Sequence, residues 1–308
     1  MNRSVLGVVA ALLVLSVKSN AVTQTVIDLA IRDSMTAISR KVFYLNNPKI
    51  TSDREFLNNT CGEHEPHAKE TSPLGCYLSV DRGIFIYNIS DPRLSGTMET
   101  VAAHEMLHAF YIRLSADEKK RFDSLSEQFF KTITNQDILE RIKLYPEAQR
   151  NAELHSVLGT EVSRLPRELE AYYAQYFSER SRVVAFSARS RTAVLSQIEK
   201  VNASDRRLTL LKKSIEQETT HLSLKAKKIS TLRSDLNGNE LKQNVAEYNR
   251  RTADMNIQIR DYNRLVRSYD ALVKQYNGLA AERNALASVV QRLVEELDTR
   301  NLPKKIKK

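Results

Sequence analysis

Val201, Leu208, Ile215, Leu222, Ile229 and Leu236 stand seven residues apart. An α-helix turns every ~3.6 residues, so an apolar residue at each seventh position keeps one seam along a helix long enough to wind around a partner. The repeat excludes a strand or a short globular helix over the same stretch. Asn237-Gly238-Asn239 then interrupts it with turn residues. Beyond the break a heptad returns almost literally: Tyr262-Asn263-Arg264-Leu265-Val266, Tyr269-Asp270-Ala271-Leu272-Val273, Tyr276-Asn277-Gly278-Leu279-Ala280. The pattern predicts an antiparallel α-helical coiled-coil hairpin over residues 186–300, with its turn near 237–239. Its tyrosine stripe is packing, and the hairpin is a spacer or docking surface.

The rest of the chain reads as one domain. In 308 residues there are only 8 Gly and 7 Pro, too few turn residues for a protein built of many short strands. The expected class is therefore mainly α (α+β) with a short sheet. Val26, Leu29, Ala30, Met35, Ile38 and Val42 recur at helical intervals and predict a helix over 23–42. Residues 45–75, rich in Asn, Pro, Ser and Gly, read as loop. Gly83 to Ile89 is the best strand, β-branched and aromatic between turn residues. Ser95 or Thr97 can cap a helix through Val101, His104, His108 and Tyr111 to about Leu114. Ser115 opens another carrying Phe122, Leu125, Phe129 and Phe130; further helices fit Ala152 to Leu158, stopped by Gly159, and Leu169 to Phe177. The Ser/Arg-rich stretch 178–191 marks the boundary, giving a domain over 22–185.

The two ends point to location. A basic start, an apolar run from Val5 to Val17 and small residues before a possible cut after Ala21 fit an export signal over 1–21, or an uncleaved membrane anchor. Either places the domain outside the cytoplasm, whether secreted, periplasmic or anchored facing outward. The net charge of +10, including a basic tail over 301–308, attracts anionic surfaces and is compatible with membrane association. No arginine–aromatic motif accompanies it, so no nucleic-acid partner is expected. Cys61 and Cys76, an even pair in an exported chain, suggest a disulfide. A second, structural zinc site made by Cys61, His64, His67 and Cys76 is the rival reading.

The chemistry is concentrated in His104-Glu105-Met106-Leu107-His108. Residues four apart share a helix face, so both imidazoles can meet one ion while Glu105 lies alongside to take a proton from water activated by that ion. This HExxH spacing points to Zn2+ and to hydrolysis.

The segment Glu99 to Tyr111 resembles the active-site helix of the zincin metallopeptidases; the hairpin lies outside the resemblance. The third-histidine continuation of the metzincin branch is absent, since Ala109-Phe110-Tyr111-Ile112-Arg113-Leu114 follows. In the gluzincin branch the third ligand is a glutamate on a later helix. The downstream segment dense in ligand types, Asn151 to Glu161, offers Glu153, with His155 and Glu161 as alternatives. Tyr173, on a later helix, is a candidate to stabilise an oxyanion, as a tyrosine or histidine does in many zincins. The resemblance implies an exported zinc-dependent metallopeptidase that hydrolyses peptide (amide) bonds of a peptide or protein substrate. The alternative is a cell-envelope interaction protein with a catalytically silent head, docking through its coiled coil.

Overall fold

A computed structural model describes residues 25–26, 28–62, 74–79, 83–238 and 244–298. The protein is mainly helical with a small three-stranded sheet. It divides into two compact units, residues 1–194 with 292–308 and residues 195–291. The stretch 1–21 read as an export signal or anchor, the basic stretch 301–308, His64 and His67 lie outside the described residues.

The helix predicted over 23–42 is two pieces. Residues 28–32 are helical; the chain then turns at Asp33 and Ser34, and α1 spans Ala37–Leu45. Ser34 adopts a left-handed φ of 54°, which no helix continues through, and Thr36 caps the new helix by accepting from the backbone N–H of Ser39. The loop predicted over 45–75 contains β1 (Lys49–Thr51) and α2 (Arg54–Gly62). Asp53 starts α2, its carboxylate accepting from the Phe56 N–H at 2.9 Å. β2 (Gly75–Leu78) and β3 (Gly83–Tyr87) complete the sheet in the order β1-β3-β2. β1 runs parallel to β3 with Ile50 opposite Ile86, and β2 runs antiparallel with Cys76 opposite Phe85.

Central β3 is buried along its whole length, and its two faces serve different cores. Ile84 and Ile86 join the main core with Ala102, Ala103, Met106 and Leu107; Phe85 and Tyr87 join a smaller one with Leu57, Cys61, Cys76 and Leu78. A disulfide joins Cys61 to Cys76 across this smaller core, their Cα atoms 5.7 Å apart. Closing a loop of separation 15 removes unfolded-state freedom worth about 3 kcal/mol.

Against the first face of β3 lies α3 (Thr97–Tyr111). Its N-cap is Gly96, not Ser95 or Thr97: φ is 105°, and an added Cβ would fall 2.8 Å from the Phe186 carbonyl oxygen. Next come α4 (Ala116–Phe130), opened by a Ser115–Glu118 capping box, and α5 (Gln136–Leu144), which the sequence reading missed. α6 (Glu147–Thr160) ends one residue beyond Gly159. An added Cβ at Gly159 would lie 2.4 Å from Leu107 Cδ1 and 2.8 Å from Tyr173 Cε1. The glycine is thus what allows α6 to close on α3. The short α7 (Arg167–Tyr173) follows.

The Ser/Arg-rich stretch expected as a boundary is mostly helix, because α8 (Arg180–Leu236) begins within it. Its root is pinned inside the first unit: Arg180, 7% exposed, pairs with Glu170 and donates to the Val162 carbonyl at 2.7 Å. The Thr97 and Ser190 hydroxyls meet at 2.6 Å. In the second unit α8 and α9 (Val245–Leu297) run antiparallel, since Asp205 pairs with Arg283, Lys225 with Gln258 and Asp235 with Arg251. The last residues of α9 belong to the first unit, where Leu293 is fully buried.

Candidate metal centre

His104 and His108 project from one face of α3, one turn apart, with ring centroids 4.8 Å and Nε2 atoms 3.1 Å from each other. Glu153, from the middle of α6, brings Oε2 to 3.4 Å from His104 Nε2 and 3.3 Å from His108 Nε2. The three donors form a nearly equilateral triangle. Around a tetrahedral ion with bonds of about 2.0–2.1 Å, neighbouring ligand atoms lie about 3.3 Å apart. The triangle therefore matches one face of such a coordination shell, and the group can hold a metal ion. The imidazole side chains are 16% and 20% exposed and the carboxylate 4%, so an ion and its fourth ligand are reached from the histidine side.

Burial works against charge on His104, but the adjacent Glu153 outweighs it and raises the imidazole to about 9. Burial likewise opposes the Glu153 carboxylate, yet His104 and His108 hold it well below the usual carboxylate range. The acid is thus kept ionised, the state in which it ligates.

Glu105 sits on α3 between the two histidines and is 7% exposed. β2 presses against it: an added Cβ at Gly75 would come within 3.4 Å of Glu105 Cγ and 2.4 Å of Val101 Cγ1. The bridged Cys76 is the next residue along, so the disulfide secures the strand that abuts the acid.

The other sequence candidates lie elsewhere. Glu161, at the end of α6, is taken by Arg141 at 2.6 Å and Arg191 at 3.5 Å. His155 is completely buried in an aromatic cluster with Tyr111, Phe122, Tyr172 and Tyr176. Its Nε2 bonds the Tyr172 hydroxyl at 2.9 Å, and burial, reinforced by His108 and His104, pushes its pKa down to about 3. It is a neutral core histidine. Tyr173, the oxyanion candidate, is fully buried and donates its hydroxyl to the His155 carbonyl at 2.7 Å, which commits it to bracing α6. Cys61 and Cys76 are joined to each other, so neither thiol serves a structural zinc site.

One neighbour of the triad was not foreseen. Arg141, on α5, places Nε 3.9 Å from Oε1 of Glu153, while Oε2 is the oxygen paired with the imidazoles. Nothing in the sequence around it, an arginine on an amphipathic helix, distinguishes it from a solvated charge.

No protein-family model matches this chain, and neither the curated proteins nor the solved structures hold one detectably similar to it. Among the described residues no helix is long and apolar enough to cross a membrane.

Proposed function

We propose that the first unit is a zinc-dependent peptidase head of the zincin kind, gluzincin-like in taking a glutamate as third ligand. The observation that carries this reading is the convergence of His104, His108 and Glu153 from two separate helices, with Glu105 between the histidines. When bound, the ion would supply Lewis acidity, polarising a carbonyl and lowering the pKa of a water toward about 7. The two imidazoles and the Glu153 carboxylate would hold it. Glu105 takes the proton of the attacking water and returns it to the departing amine. β2, packed on α3, keeps the Glu105 side chain aimed.

The disulfide supports an oxidising, extracytoplasmic setting. The antiparallel α8–α9 pair, with its heptad pattern, supports a coiled-coil hairpin that docks the head to a partner or envelope surface.

The test is cleavage of unfolded casein and a peptide library by zinc-loaded protein. Wild type should cleave, and Glu105→Gln should keep its zinc and its melting temperature while losing about 10²–10⁴-fold in rate. A folded, zinc-loaded wild type that cleaves nothing would overturn the peptidase reading in favour of a silent head on a docking arm.

A further inference from the structure

We propose that Arg141 is a positioning residue for the third ligand, deciding which oxygen of Glu153 faces the ion; this rests on the triad being a metal site. Glu153 is buried and its two oxygens have different neighbours. Oε2 stands 3.4 and 3.3 Å from the two imidazole nitrogens, while Oε1 faces Arg141 Nε at 3.9 Å. That Nε is buried and has no hydrogen-bond partner, and Oε1 at 3.9 Å is a carboxylate oxygen its unsatisfied N–H can attract. The rest of the guanidinium is fixed: Nη2 donates to Glu161 Oε1 at 2.6 Å, and Arg191 approaches the other Glu161 oxygen at 3.5 Å. A planar fork gripped at one edge presents its Nε–H in a set direction.

The charges are arranged for this role. An arginine this close to a divalent cation would repel it, but Glu161 offsets the guanidinium charge, with Asp137 sharing the load of Arg191, and leaves its directional N–H. Arg141 thereby turns Oε1 away from the imidazoles, leaving Oε2 for the ion. Supporting groups of this kind, behind a ligand rather than on the metal, typically alter affinity by about 10–100-fold.

The test is zinc affinity by chelator competition, with thermal melting of the metal-free proteins alongside. Arg141→Met, which keeps the reach without the N–H or the charge, should weaken zinc binding by about 10–100-fold. Arg141→Lys, which keeps a cationic donor, should recover part of the loss. Arg191→Met, which breaks the outer ion pairs to Glu161 and Asp137, should change affinity by less than about threefold. Arg141→Gln replaces Arg141→Met if the latter does not fold. Zinc binding by Arg141→Met as tight as wild type or tighter would overturn the proposal, as would an equal loss in Arg191→Met. Failure of wild type itself to take up stoichiometric zinc would sink the metal reading instead, so the two failures are distinguishable.

Discussion

His104 is a base held beside an acid in a place where neither would choose to be charged alone. In the metal-free protein the pair is an imidazolium and a carboxylate, and the sign of its pH dependence follows. The folded pKa of His104, about 9, lies above its ordinary 6.5, so its contribution to stability is complete below pH 6.5 and is lost as pH rises toward 9. Glu153, held below its ordinary 4.5, loses its contribution only as pH falls beneath that value. The metal-free protein should therefore melt at progressively lower temperature from pH 6.5 to 9, and His104→Gln should abolish that slope; calorimetry across the range in excess chelator measures both. The motif residues were legible because helical spacing alone puts two side chains on one face. Glu153 was legible by ligand type, on the strength of a resemblance. Arg141, His155 and Tyr173 were not, because their roles depend on which helix packs against which.

The same limit governs the helices. Gly159 reads in sequence as a stop, since glycine commonly ends helices, and the helix does end one residue later, but the absent side chain also sets the distance between α6 and α3. Leu107 and Tyr173, which a methyl group would strike, are both fully buried and have no space to yield. Gly159→Ala gains up to about 1 kcal/mol of helix propensity, against an overpacking cost of about 1–3 kcal/mol. The expected net is a loss of about 1 kcal/mol in denaturant unfolding, with weaker zinc binding because Glu153 rides on the displaced helix. Strands β1 and β2, with three and four residues, are too short to show an alternating pattern, whereas the longer and wholly buried β3 could be read directly. The two long helices were readable for the opposite reason, their seven-residue pattern being repeated many times over.

For the molecule as a whole, head and long helical pair differ in the kind of patterning they carry, and the chain divides between residues 194 and 195, inside α8. Serine and arginine suggested a domain boundary, while in the structure Arg180 is an anchor, pairing with Glu170 and donating to the Leu158 carbonyl of α6 and the Val162 carbonyl just beyond it. Zinc at about a hundred times its dissociation constant should stabilise the folded state by about 2.7 kcal/mol. For a head of this size that is a rise of about 5–10 °C in Tm, read by scanning fluorimetry. Neither His108→Ala nor Glu153→Gln should show it. The donors are divided between α3 and α6, with two further helices between them in the chain. A newly made or unravelled polypeptide offers a cation only a pair of rings on a fraying turn, and the last tooth of the clasp arrives once remote segments have docked. Metal uptake should thus report that this half of the molecule has finished folding, and premature loading should be rare.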